Sequence, residues 1–229
     1  MRLKRRDFLI GSMSLPVFSV GGCRQSRDMQ KLGNDLFEYL NANQKTGNRT
    51  APTYGVPGMT LSEIASVEAQ LDFPLPSDLK FLLENVQDPG GVLFPWSDFS
   101  IERYQEMIDF VWRGISFDIE HNALWLEKWG QRPSDLTAAK ALAKKDFQTW
   151  PRLLPIYGHR FLAADPCLPD NPVFSIMQTD IIYYGTNLAD YLLREFCPGR
   201  PLIMSEPLRR IPIWSDFAER TDGFTLPYE

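Results

Sequence analysis

The sequence predicts an α+β protein, and three features of the chain indicate this class. Two amphipathic helix patterns come first, between residues 60 and 87. Two strand patterns follow, between residues 172 and 184, and a further helix pattern starts after Asn187. Helices and strands that occur in separate runs are typical of α+β folds. The chain has 229 residues, of which 44% are hydrophobic and 13% aromatic, enough for one sizeable core.

The first 22 residues have the composition of an export signal rather than of a folded element. A basic start is followed by the run from Phe8 to Gly22, which contains no charged residue. This run is short for a membrane-spanning helix, which needs about 20 apolar residues. A basic segment, a short apolar run and a small-residue exit are typical of a secretory signal peptide. We therefore predict a signal peptide at residues 1–22.

Two short motifs make this prediction more specific. Arg5, Arg6, Phe8 and Leu9 resemble the twin-arginine export signal. The segment VGGC, which ends at Cys23, resembles a lipobox, whose cysteine receives a diacylglyceryl thioether and becomes the mature N-terminus. We expect export to the periplasm or cell envelope, with the chain anchored in the lipid bilayer through Cys23. The alternative is a cytoplasmic protein whose N-terminus only imitates a signal.

Charge is distributed unevenly along the chain. Residues 1–22 contain four basic residues and one acidic residue, so their removal changes the formal net charge from −5 to −8. An acidic protein surface is unfavourable for contact with nucleic-acid phosphates. We therefore expect no nucleic-acid partner. A basic protein partner would be complementary, although solubility alone also explains the charge.

A tether is predicted between the signal and the main domain, over residues 23–57. Apolar residues recur at three- and four-residue steps within residues 29–40, which predicts one short amphipathic helix. Residues 41–55 are polar and contain Gly and Pro, as linkers do. We therefore assign the main domain to residues 58–199, and residues 200–229 to an extended C-terminal tail that packs on the domain.

The main domain begins with two predicted helices. Thr60 and Glu63 have the spacing of a capping box at the start of the first helix. Residues 74–76, with the sequence PLP, separate the helices, because proline is tolerated in a first turn. The apolar stripes of the two helices are formed by Leu61, Ile64, Val67 and Leu71, and by Leu79, Leu82 and Leu83.

The later elements follow from the same patterns. Asn187 is placed to cap the last helix of the domain, and Pro198-Gly199 is placed to end it. Tyr183 and Tyr184 lie on a strand and are either core residues or exposed binding anchors; strand aromatics are more often core. The remaining predicted elements are helices at 101–112 and 136–147 and strands at 153–157, 172–177 and 179–184.

The pattern of the first two helices resembles the start of the SUKH superfamily of fungal cell-wall-synthesis regulators and bacterial immunity proteins. A capped helix is followed by Leu-Pro-x-Asp-Leu-x-Phe-Leu, an Asn and a Gly turn. Residues 150–196 resemble the second half of that family, with a "Pro-Ile" strand, the segment Asn-Pro-Val-Phe-Ser and a final helix. The matching residues in the first half are Thr60, Ile64, Glu68, Leu75, Pro76, Asp78, Leu79, Phe81, Leu82 and Asn85.

The resemblance has consequences for fold and function. It implies N-terminal helices packed on a mostly antiparallel sheet, with a helical insert between the two matching halves. It also implies a protein-binding module, because bacterial members neutralise toxins by occupying their surfaces. We therefore expect an exported, lipid-anchored module that binds a protein partner, either a toxin domain or an envelope-associated factor. The motifs are structural, so no enzyme activity and no cofactor are expected.

Two histidines are the candidates for catalysis or metal binding. His121 lies close to Asp118 and Glu120, but no second histidine has the spacing of a metal site, so we expect a structural histidine and no metal. His159 precedes Arg160 at a predicted turn, and with Asp165 it could serve a carboxylate- or histidine-dependent periplasmic hydrolase, which is the alternative function. The favoured interpretation of Arg160 is an ion pair with a carboxylate at the edge of the core.

Two cysteines remain beyond Cys23. Cys167 and Cys197 are a candidate disulfide pair in an oxidising compartment, whereas in the cytoplasm they would be two ordinary thiols.

If the prediction of export is wrong, the remaining alternative function is that of a cytoplasmic SUKH-type immunity protein.

Overall fold

A computed structural model describes residues 53–54, 58–87, 93–196 and 208–219 of the chain. The predicted signal peptide, the lipidation site Cys23 and most of the tether lie outside these residues, and so does Cys197. Those predictions therefore stay predictions. No helix in the described ranges combines the length and the apolar character that crossing a membrane requires.

The predicted α+β class is confirmed within these ranges. The helices are α1 (Leu61–Leu71), α2 (Ser77–Asn85), α3 (Ile101–His121), α4 (Leu136–Phe147), α5 (Leu188–Phe196) and α6 (Trp214–Glu219). The strands are β1 (Thr53–Tyr54), β2 (Val86–Gln87), β3 (Leu153–Tyr157), β4 (Arg160–Ala163), β5 (Val173–Met177) and β6 (Asp180–Gly185).

The main sheet is an antiparallel meander with strand order β3-β4-β5-β6, and β1 and β2 form a separate pair. Strand β4 was absent from the sequence prediction, which placed Arg160 at a turn. The four residues of this strand do not alternate between polar and apolar, since its last three are all apolar and buried, so the usual strand pattern is absent. Pairing with β3 and β5 on its two edges makes it a central strand nonetheless.

The predicted helix caps are present. The backbone N–H of Thr60 donates to the Glu63 Oε2 at 2.7 Å, and the N–H of Glu63 donates to the Thr60 Oγ1 at 3.3 Å. The side chain of Asn187 accepts from the N–H of Asp190 at 2.8 Å at the start of α5. Each cap satisfies an N–H group that has no partner inside its helix.

Helix α3 is longer than its pattern predicted. The expected helix ends at Trp112, whereas α3 continues through Gly114 to His121. A Cβ added at Gly114 would lie 2.7 Å from the Cα of Gln178, in the turn between β5 and β6. Glycine therefore weakens the local helix pattern, but it allows the helix to pack directly on this turn.

Helices cover both sides of the sheet, and a separate core lies on each. On one side, Leu154, Leu162 and Val173 pack with residues of α1, α2 and α5. We call this the α5 side. On the opposite side, which we call the α3 side, Phe161 and Phe174 pack with residues of α3, α4 and α6.

The C-terminal segment contributes to the core of the α3 side. Trp214 and Phe217 of α6 are both buried, and the indole N–H of Trp214 donates to the Pro151 carbonyl oxygen at 2.7 Å. The sequence prediction assigns residues 200–229 to an extended tail and includes no helix there. A six-residue helix carries too little periodic pattern to be recognised before its packing partners are known.

Candidate functional site

The antiparallel meander places two tight turns at the same end of the sheet. One joins β3 to β4 at Gly158 and His159, and the other joins β5 to β6 at Gln178 and Thr179. Gly158 has φ +53°, a conformation that glycine adopts without steric cost. The carbonyl oxygen of His159 accepts from the N–H of Ile176 at 3.0 Å, which links the first turn to β5.

The strand register aligns one row of side chains across this end of the sheet. Tyr157 pairs with Arg160, Arg160 with Ser175, and Ser175 with Ile182. Residues directly opposite each other on paired strands point to the same side, so all four lie on the α5 side. Tyr184 is two residues beyond Ile182 on β6 and therefore shares this side.

Arg160 is the central residue of this row. Its Nη1 donates to the Ser175 Oγ at 2.9 Å, and its guanidinium lies 3.8 Å from the centre of the Tyr184 ring. Among the described residues, no carboxylate forms the expected ion pair with Arg160. A hydroxyl group and an aromatic face hold the guanidinium instead, the second by a cation–π contact.

Helix α5 adds two polar groups beside Arg160. Tyr191 is fully buried and its ring centre lies 6.0 Å from that of Tyr184. Glu195 follows four residues later, so both residues lie on one face of the helix. We define the Arg160 cluster as Arg160, Ser175, Tyr184, Tyr191 and Glu195.

The Arg160 cluster contains buried polar atoms that have no hydrogen-bond partner. Within the described residues, four buried side-chain atoms are unpartnered, and three of them are Arg160 Nε, Tyr191 Oη and Glu195 Oε2. A buried polar atom without a partner costs about 1–3 kcal/mol, and folded proteins rarely retain one. Three of the four belong to this cluster, so it is the main concentration of unpartnered polar atoms among the described residues.

The charges of Arg160 and Glu195 affect the pKa values of Tyr191 and His159. Burial raises the pKa of the Tyr191 hydroxyl, the nearby charge of Glu195 raises it further, and Arg160 opposes both effects. Burial lowers the pKa of His159, and the positive charge of Arg160 lowers it too, against the opposing effect of Glu195. His159 is thus biased towards its neutral form.

Exposed apolar side chains lie around the cluster. Tyr157 is 37% exposed, Met177 46% and Ile182 48%, and all three lie on the α5 side at the turn end of the sheet. The ring of Phe196, at the end of α5, lies 5.7 Å from that of Tyr157. We call Tyr157, Met177 and Ile182 the rim of the Arg160 cluster.

The residues proposed for a hydrolase are not brought together. His159 lies in the turn before β4, whereas Asp165 follows the other end of that strand. Asp165 accepts from the backbone N–H and the Nε of Arg152, each at 2.8 Å, and this pairing lowers the pKa of its carboxyl group. Asp165 is therefore engaged in fixing the start of β3.

Two of the three residues considered as metal ligands lie together, with His121 Nε2 3.7 Å from Glu120 Oε1, whereas Asp118 is engaged elsewhere. Asp118 is buried and accepts from the N–H and Oγ1 of Thr179, at 2.8 and 2.6 Å. Glu120 pairs with Lys140, and the exposed ring of His121 lies against Phe117. In the part of the chain that the structure describes, no three His, Cys, Asp or Glu side chains form a potential metal site.

Cys167 is exposed, and its Sγ lies 3.5 Å from the carbonyl oxygen of Pro74. Burial of part of the thiol raises its pKa, which disfavours the reactive thiolate form. Since Cys197 is outside the described residues, the proposed disulfide stays a prediction.

Arg160 and Tyr184 are separate candidates in the sequence prediction, and Tyr191 and Glu195 are not among the predicted site residues. The two strand tyrosines lie on opposite sides of the sheet: Tyr183 donates to Glu219 on the α3 side, while Tyr184 lies under Arg160. The four-residue spacing of Tyr191 and Glu195 was the available signal, but it does not show what the helix face contacts.

Comparison of the chain with models of protein families, with curated proteins and with solved structures finds no match. The structure defines an α+β protein with helices on both sides of a four-stranded antiparallel meander.

Proposed function

We propose that this chain is a SUKH-type protein-binding module that uses the turn end of its sheet to contact its partner. The observation that carries the proposal is the Arg160 cluster with its exposed rim. Arginine and aromatic residues are enriched among the residues that dominate binding energy in protein interfaces, and apolar contacts around them exclude water.

The partner class follows from charge and from the resemblance given above. A chain that loses residues 1–22 carries a formal net charge of −8, which favours encounter with a basic surface. We infer that the partner is a basic protein, as a toxin domain neutralised by an immunity protein would be. An envelope-associated factor is the alternative partner if the role is closer to that of the fungal members.

The compartment belongs to the same proposal. We infer that the chain is exported through its twin-arginine-like signal and anchored in the membrane through Cys23. Mass spectrometry of the N-terminus of the mature protein tests this. A diacylglyceryl-modified Cys23 is expected, and an intact Met1 would contradict export.

The function itself is tested by measuring binding to the protein encoded by the gene next to the gene for this chain. Ile182→Lys and Met177→Lys place a charge in the rim, and each should weaken binding at least about tenfold in calorimetry, as loss of a central apolar contact does. Leu142→Lys is the matched control, because Leu142 is an exposed apolar residue of α4, on the α3 side. Equal effects of all three variants would refute the proposed surface.

A further inference from the structure

The three unpartnered atoms of the Arg160 cluster define what could complete it. Arg160 Nε can only donate a hydrogen bond, Glu195 Oε2 in its ionised form can only accept one, and Tyr191 Oη can do either. A group that satisfies the cluster must therefore both accept and donate. A single neutral group of this kind is an amide, whose C=O accepts and whose N–H donates.

Charge argues against simpler occupants. An anion would be attracted by Arg160 but repelled by the carboxylate of Glu195. A cation would be attracted by Glu195 but repelled by Arg160. Arg160 lies over the Tyr184 ring, the Tyr184 ring neighbours that of Tyr191, and Glu195 follows Tyr191 by one helical turn. Both charges therefore border the same cluster. A neutral group with two opposite dipole ends avoids either repulsion.

A partner group would reach the cluster from the rim. Arg160 and Glu195 are half-buried residues although Nε and Oε2 themselves are buried, and Glu195 is the last residue but one of α5. The end of α5 that carries Glu195 borders the rim formed by Tyr157, Met177 and Ile182, since the ring of Phe196 lies 5.7 Å from that of Tyr157. Those exposed side chains would contact the carbon atoms attached to the amide.

We propose that the Arg160 cluster binds a carboxamide group of the partner protein, with the C=O accepting from Arg160 Nε and the N–H donating to Glu195 Oε2. Tyr191 Oη completes the site as a third hydrogen-bonding group. This inference deepens the function proposed above and rests on it. The amide comes either from an Asn or Gln side chain or from the peptide backbone.

Small amides test this without the partner. The ¹⁵N-labelled mature chain is titrated with acetamide, which mimics a side-chain amide, with N-methylacetamide, which mimics a peptide group, and with sodium acetate at constant ionic strength. The signal followed is the Nε–Hε resonance of Arg160. One of the two amides should shift it to saturation, and which amide does so identifies the source of the group.

Variants connect the signal to the cluster. Tyr191→Phe should weaken amide binding by about 2–10-fold, the effect of one hydrogen bond, and Glu195→Leu should abolish it. Tyr183→Phe is the matched control, because its hydroxyl is bonded to Glu219 on the opposite side of the sheet. Thermal unfolding confirms that each variant is folded.

Two results would overturn the inference. Saturation by acetate at least as strong as by the amides would make this an anion site. No saturable shift with any probe would mean that the cluster holds water alone. Either result leaves the partner assay with Ile182→Lys unaffected, so failure of the amide site is distinguishable from failure of the proposed surface.

Discussion

Replacing Tyr191 by phenylalanine tests whether its hydroxyl is truly unpartnered. Tyr191 is fully buried and its Oη has no hydrogen-bond partner. An unsatisfied buried group costs about 1–3 kcal/mol, whereas the loss of a satisfied hydrogen bond costs about 0.5–1.5 kcal/mol. Tyr191→Phe should therefore leave stability unchanged or raise it by about 1 kcal/mol.

A second buried tyrosine provides the matched comparison. The hydroxyl of Tyr104 donates to the Leu153 carbonyl oxygen at 3.1 Å and is also buried. Tyr104→Phe deletes the same atom but leaves that carbonyl without its partner, so stability should fall by about 1 kcal/mol. The same chemical change should thus have opposite signs at the two positions.

Urea unfolding of both variants, followed by far-UV circular dichroism, measures the difference in unfolding free energy. Thermal unfolding provides a second measurement, since 1 kcal/mol corresponds to about 2–4 °C in a chain of this size. A loss of stability in Tyr191→Phe as large as that in Tyr104→Phe would refute the reasoning. It would show that the Tyr191 hydroxyl is bonded, for example to an ordered water molecule.

Three further predictions concern the fold. Burial raises the pKa of Asp78 to about 6, so the stability gained by its protonation is present below pH 4 and is lost as pH rises through 6. The unfolding free energy of the wild type, relative to that of Asp78→Asn, should therefore fall by roughly 2–3 kcal/mol between pH 4 and 7. A difference in urea unfolding that stays constant with pH would contradict this. Gly114→Ala should destabilise the protein by about 1–3 kcal/mol because the added Cβ clashes with Gln178, although alanine favours helices more than glycine does. If thermal unfolding shows a more stable variant, the backbone at this contact must relax. Trp214→Ala should cost about 3–5 kcal/mol, as measured by urea unfolding, and a loss below about 1 kcal/mol would place α6 outside the core.

Local patterns were sufficient wherever neighbouring residues decide the structure. The sequence correctly predicts three features that depend on contacts within one or two helical turns. These are the capping box of Thr60 and Glu63, the cap at Asn187 and the bounds of α4. Strand β3 was also predicted correctly, since its apolar run is bounded by proline and glycine.

Prediction failed where distant contacts override a weak local signal. Strand β4 is short and exists because β3 and β5 pair with it on both edges. Helix α3 passes through Gly114 because the β5–β6 turn packs there. Arg160 finds a hydroxyl and a ring rather than a carboxylate, since strand register selects its neighbours.

The sequence by itself determined the α+β class, the helix caps and most of the element boundaries, because these depend on residues close together in the chain. Only the tertiary structure decided that Arg160, Ser175 and Tyr184 meet Tyr191 and Glu195. These residues come from three strands and one helix. Their meeting depends on the pairing register and on the side of the sheet that α5 covers, and neither is encoded in local periodicity.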